Sequence, residues 1–429
     1  MPGREHRTTR ARVAEPATPE SPPPPPAAEA DAAPAGPASL GRPAVTGLVC
    51  LLAALAFVLA RWQTWAHGNI GRFILVGRRF SIPAQVPRGV PVMPAYGYDG
   101  QFFYRLALNP VNFSHTAYGI TVDRSYRYMR IGYPVVTWLV SLGQHAFVPV
   151  MLVAVNVAAV ALLGYLGGVF ALAAGRHALA GLLLPAYYGL ATSLSRDTAE
   201  PLAAVLLLGG LLAVRSRRPV LAAALLTFAA LTRETVMVAV AAISIVRVVA
   251  VVRRRQSPRP GRDDLVWAIP AVVFVAWQFV VKAVTGAIPL FADSGRNAGT
   301  PFLAPFQAVA ANLHHISTSQ FDQYDLWLLE LAILILFSLA ALISMRSTNA
   351  PGHERLAFVL YLVEICVVTP DTWGSLDADL RSFIEVYLLA VIIVLGTPVR
   401  SVAARALPWI SALLIPALVA VAERRFTGS

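Results

Sequence analysis

The chain has 429 residues, 57% of them hydrophobic and only 14% charged, with a mean hydropathy of +0.62. That balance excludes an ordinary soluble domain and points to an all-α, polytopic membrane protein. The net charge of +12 does not point to nucleic acid, because most of the excess is arginine spread over separate loops and the N-terminal tail; anionic membrane lipids are the expected partner.

Residues 1–43, with "SPPPPPAAEADAAPAGPAS" between basic ends, lack the apolar content that offsets the entropy of ordering and read as a disordered cytoplasmic tail. Residues 44–429 read as one multi-span membrane domain. Its first apolar run, 44–60, follows a tail too long for a secretory signal peptide and is expected to be an uncleaved signal anchor. Cys50 and Cys366 both lie within apolar runs, so neither a disulfide nor a metal clip is expected. Ten further runs follow at 147–173, 178–194, 199–214, 219–232, 235–252, 265–284, 326–345, 356–369, 383–396 and 406–422. Set against about 30 Å of hydrocarbon, they give about eleven transmembrane helices.

Basic clusters stand at 175–177, 215–218, 253–262, 346–355 and 400–405. With the tail inside and eleven crossings, all five fall on the cytoplasmic side. One feature dissents: Arg424 and Arg425 in the closing "ERRFTGS" would then lie outside. The acidic residues collect at the outer face.

The loop at about 61–133 is the longest aqueous connection and holds seven of the thirteen tyrosines. Aromatics at a membrane boundary ordinarily form an interfacial belt, which leaves Asp99 in "GYDGQFFYRLALNP" unexplained. Phe102, Phe103, Leu106 and Ala107 recur at helical spacing and Asn109-Pro110 ends the run, so a short helix lying in the outer interface is expected. Asp99 stands just before its start, where a carboxylate either caps free backbone donors or projects into a cavity. Arg124, Arg127 and Arg130 follow at three-residue spacing; their planar forks suit phosphate oxygens, and a solvated basic face is the plainer reading.

"YDGQFFYRLA" and "RIGYP" resemble the first outer loop of the GT-C superfamily, the multi-span glycosyltransferases that take sugars from polyprenyl-phosphate carriers, and in particular its mannosyltransferase-like branch. In that superfamily this loop carries a catalytic Asp, an interfacial helix and an aromatic-Pro stretch. Tyr98 stands where Trp is common, and a single Pro134 replaces a double-Pro motif. The resemblance implies that Asp99 is the catalytic base of an inverting, single-displacement transfer at the extracytoplasmic face of the cell membrane, from a polyprenyl-phosphate sugar to a cell-envelope acceptor. A raised carboxyl pKa is expected for such a base.

Further polar clusters fit that layout. "SLSRDTAEPLA" holds Asp197 and Glu200, as second acids or as helix caps. "LTRETVM" brings Arg233-Glu234 into an apolar stretch, as a site or as a structural ion pair. "TPDTWGSLDADLRSFIEVY" brings Asp371, Asp377, Asp379 and Arg381 to an outer helix start. Arg381, Arg124 and Arg127 are expected to neutralise the lipid phosphate, Gln101 to bond sugar hydroxyls, Gly100 to let backbone approach the ligand, and Tyr98 or Tyr104 to stack on the sugar. No cofactor is implied, although Asp99 and Asp197 form a possible divalent-metal pair. Glu364 reads as a structural hydrogen-bond partner. The alternative function is a transporter or flippase of a lipid-linked substrate.

Overall fold

The computed structural model describes Gly3 and residues 41–253, 257, 259, 261–292, 302–315 and 321–427. The chain divides into two units, 1–39 and 40–429. The tail expected over 1–43 lies outside the described residues, apart from Gly3 and residues 41–43. Part of the 253–262 cluster lies outside them too.

After α1 (Pro43–Thr64), the connection to the next long helix holds α2 (Gly100–Leu108) and α3 (Gly132–Val140). It also holds two short ribbons, β1 (Val76–Gly77) parallel to β2 (Val92–Met93) and β3 (Thr116–Ala117) antiparallel to β4 (Ile120–Thr121). There follow α4 (Val148–Ala173), α5 (Gly189–Arg196), α6 (Glu200–Arg215), α7 (Pro219–Thr232), α8 (Val236–Val252) and α9 (Leu265–Thr285). The remainder comprises α10 (Pro289–Ala292), α11 (Ala304–Leu313), α12 (Gln323–Ser344), α13 (Gly352–Val367), α14 (Pro370–Gly374), α15 (Ile384–Leu395), α16 (Val402–Ala412) and α17 (Leu414–Thr427).

Five helical segments, Pro43–Thr64, Val148–Ala173, Arg262–Thr285, Gln323–Ser344 and Val402–Thr427, are long and apolar enough to cross a membrane. Their outward faces expose Leu52, Leu59, Val272, Phe279, Ile343 and Val419, a surface that lipid tolerates and water does not. The protein is a helical membrane protein. On α1, Thr46, Cys50, Ala54 and Val58 recur every four residues and are buried. They meet α4 at small residues: a Cβ on Gly164 would lie 2.4 Å from Cys50 Sγ, so the two backbones approach closely.

The run expected as one span over 178–194 is broken. A 3₁₀ turn occupies Ala178–Leu183 and α5 begins at Gly189. The interrupted segment still covers the length of α1: Gly41, just before α1, lies against the His177 ring, and Arg61 Nε at the other end donates to Ser195 O (3.2 Å).

The described parts of the five basic clusters gather at one end of the bundle. There Arg176 donates to Thr397 O (2.7 Å), Arg215 forms a bidentate pair with Glu354 (2.6 and 2.5 Å), and Arg247 pairs with Asp264 (2.8 Å). Arg424 and Arg425 lie at the opposite end, where both pair with the carboxylate of Asp379. They are internal structural cations, which removes their conflict with the other basic clusters.

Candidate functional site

Every residue of α2 is buried, so it is covered by the rest of the protein on all sides. Its apolar residues pack into a core with Ile74, Val76, Ile120, Tyr133 and Leu152. Its polar residues hold loops: Arg105 donates to Asn112 O (2.6 Å) and Ser114 O (2.5 Å). Gly100 is the close contact, because a Cβ there would lie 2.4 Å from Arg196 O and 2.8 Å from Ile74 O. That glycine admits protein backbone and not ligand, and it sets the position of the preceding residue.

Asp99 has helical backbone angles and makes no side-chain cap hydrogen bond. Its carboxylate instead accepts from Arg381 Nη2 (2.6 Å) and Arg127 Nη1 (3.2 Å), and 30% of its side-chain surface stays accessible. Burial pushes this carboxyl up, but Arg381, Arg127 and Arg130 outweigh it and hold the pKa at about 2, as adjacent cations do. The expected upward shift is therefore reversed.

Arg381 follows two left-handed non-glycine residues, Asp379 (φ 46°) and Leu380 (φ 42°), a costly geometry held from outside. Tyr187 Oη donates to Leu380 O (2.5 Å), and the Thr192 hydroxyl donates to the Asp379 carboxylate. Arg381 Nε then donates to Tyr98 Oη (2.9 Å) and its Nη1 to Glu200. Beyond Glu200, Arg233 lies 3.4 Å away and in turn 3.1 Å from Glu385. The result is a line of alternating charges, Arg127, Asp99, Arg381, Glu200, Arg233 and Glu385. Arg130 forks onto Glu234 beside it (2.8 and 2.5 Å).

This line borders a cavity of about 650 Å³. Asp99, Arg124, Arg130, Arg233, Glu234, Glu364, Arg381 and Glu385 line it, together with the apolar Pro289, Leu290, Ile365, Val367 and Val386. A second cleft of about 630 Å³, lined by Arg79, Phe80, Tyr96, Asp123 and Arg124, shares Arg124 with the first. Arg127 bridges the two, holding Asp123 (2.6 Å) with Nε and Asp99 with Nη1. The arrangement offers an ionised carboxylate, arginines that an incoming anion can recruit, and an apolar wall beside them.

No family model, curated protein or solved structure matches this chain. The site is accordingly read from its geometry alone.

Several expected ligand residues stand elsewhere or are already engaged. Gln101 is 1% exposed; it accepts from Gly77 N (3.0 Å) and donates to Tyr96 O (3.2 Å), holding the loop and not a sugar. Tyr104 is core, 1% exposed. The Tyr98 ring lies against the Arg196 and Arg381 guanidinium groups, with 4.2 and 5.0 Å between guanidinium carbon and ring centre. Glu200 is a buried counter-ion. Asp197 sits fully buried in a left-handed turn (φ 49°), and neither of its oxygens has a hydrogen-bond partner among the described residues. Burial raises its carboxyl well above the ordinary range, against the opposing pull of Arg61, which favours the neutral acid. It does not line the Asp99 cavity. Among the described residues no group of three potential metal-binding side chains lies together.

Glu364 lines the cavity and has neither hydrogen bond nor ion pair among the described residues, contrary to its reading as a structural partner. Glu385 and Arg61 were missed. An ionisable residue in or beside an apolar run was the available signal.

Proposed function

We propose that the protein is a membrane glycosyltransferase of the GT-C kind, moving a sugar from a polyprenyl-phosphate carrier to an acceptor of the cell envelope at the extracytoplasmic face. The observation that carries this reading is Asp99: an accessible carboxylate that caps nothing, held by two arginines, at a cavity lined by both charged and apolar side chains. The apolar wall suits a lipid chain and the arginines its phosphate.

In this mechanism the phosphate competes with Asp99 for Arg381 and Arg127. Its arrival releases the carboxylate and returns Asp99 to a more basic state. An acceptor hydroxyl attacks the anomeric carbon, and its proton passes to Asp99. The bond from the anomeric carbon to the phosphate oxygen breaks, and the lipid phosphate leaves on the arginines with the electron pair. One displacement of this kind inverts the anomeric centre.

Eleven crossings, with the basic end cytoplasmic, belong to the same reading. In cysteine variants of intact cells, position 89 should label and position 257 should not; the reverse pattern would overturn the orientation. The function itself is tested by supplying membranes containing the overproduced chain with radiolabelled polyprenyl-phosphate sugars. Transfer of label to envelope material above that of an Asp99→Asn control supports the reading, and its absence across hexose and pentose donors removes it. The transporter reading draws on one observation, the interrupted crossing at 178–196, since broken helices mark many transporters. The ions of the Asp99 line stand at helix starts, Glu200 of α6, Arg233 just before α8 and Glu385 of α15, and not at mid-helix, which favours the enzyme.

A further inference from the structure

At the basic end, a cavity of about 660 Å³ opens between the α6–α7 turn, α8 and the start of α9. Four arginines and two aspartates line it. Arg247 is already matched with Asp264, which also accepts from Gly261 N (2.8 Å) and Trp267 Nε1 (3.3 Å). Arg217, Arg218 and Arg262 are exposed, and no acid lies within ion-pair distance of them among the described residues. Arg217 is held in the left-handed region (φ 53°) in the tight turn that Pro219 closes. Val214, Ile243, Val246 and Val266 add aliphatic lining. Trp267, which also lines the cavity, is the side chain that favours headgroup depth.

We infer that this cavity is a binding site for an anionic phospholipid, separate from the Asp99 cavity and independent of the proposed glycosyl transfer. The three unmatched guanidinium groups take the phosphate, and the aliphatic wall takes the first part of an acyl chain. Free inorganic phosphate satisfies only the first half of that surface. A zwitterionic lipid adds its own ammonium group beside the arginines and loses part of the attraction.

The test uses the purified full chain in detergent, titrated with dioleoyl phosphatidylglycerol or dioleoyl phosphatidylcholine and read by native mass spectrometry. One phosphatidylglycerol should bind in preference to phosphatidylcholine. In the triple variant Arg217→Gln/Arg218→Gln/Arg262→Gln its affinity should fall about tenfold or more, the scale of lost charge-assisted hydrogen bonds. The control is Arg346→Gln/Arg400→Gln/Arg405→Gln, which removes the same charge from three exposed arginines of the basic clusters that do not line the cavity. It should bind as the parent does. Equal weakening in both triples, or no weakening in the first, overturns the site. Displacement of the lipid by millimolar inorganic phosphate assigns the cavity to the free anion and overturns the lipid occupant. Should the first triple melt early, Arg218→Gln alone is read against the same criteria.

Discussion

Asp99 and Asp379 are each a carboxylate held by two arginines at the same end of the bundle, yet they do different work. Asp99 keeps 30% of its side-chain surface and faces a cavity. Asp379 keeps none, and Arg424, Arg425 and the Thr192 hydroxyl enclose it. One cluster is open to a ligand and the other fastens the C-terminal helix to the core. Residue composition does not separate a site from a staple; access does.

Substitution at Asp99 gives the largest expected effect. Asp99→Asn keeps the shape and leaves Arg381 its Glu200 partner, so the variant should fold and lose transfer by about a hundredfold or more. Full activity in this variant would sink the assignment of the base. Asp379→Asn tests the other half, because it leaves two buried arginines without their counter-charge. A loss of about 3–5 kcal/mol is expected, as for a broken buried pair, seen as early thermal unfolding. An unchanged melting temperature there would erase the contrast.

A smaller change is expected at Arg381, which belongs to the open cluster. Arg381→Lys keeps one charge but cannot reach Tyr98, Glu200 and Asp99 together. Donor KM should rise about tenfold, consistent with loss of one charge-assisted hydrogen bond; an unchanged donor KM in both the Lys and Ala variants would remove Arg381 from the site.

The mildest test is the pH profile. Asp99 has its pKa depressed to about 2 in the free protein. It is therefore ionised throughout the neutral range, and kcat/KM should show no acid limb from it above the ordinary carboxylate range. Once phosphate has taken the arginines its pKa rises, so the acid limb of kcat should lie at higher pH than that of kcat/KM. Coincident limbs would mean that the donor leaves the Asp99 pairs intact.

Long apolar runs and the basic clusters were legible because both follow from local composition: hydrocarbon needs a length of apolar chain, and arginine resists translocation. Asp99 stood out because an interfacial aromatic belt does not account for an acid just before a helix start. The break in 178–194 was not legible, since hydropathy averages over a window and sees no difference between one helix and a 3₁₀ turn followed by another. Nor was the burial of α2: Phe102, Phe103, Leu106 and Ala107 give the same amphipathic stripe whether the polar face meets water or, as at Gln101 and Arg105, the backbone of neighbouring loops.

By itself the sequence determined a helical membrane chain, the separation of basic clusters from acidic ones, and the candidacy of one loop. Only the tertiary structure decided which ions meet. Arg381 lies 282 positions from Asp99, and Arg61 lies 364 from Arg425, whose backbone carbonyl it reaches, separations at which no periodicity carries information. Pairing among buried charges is set by where helix ends come to rest, because each ion must find a counter-charge or a polar partner once water is gone.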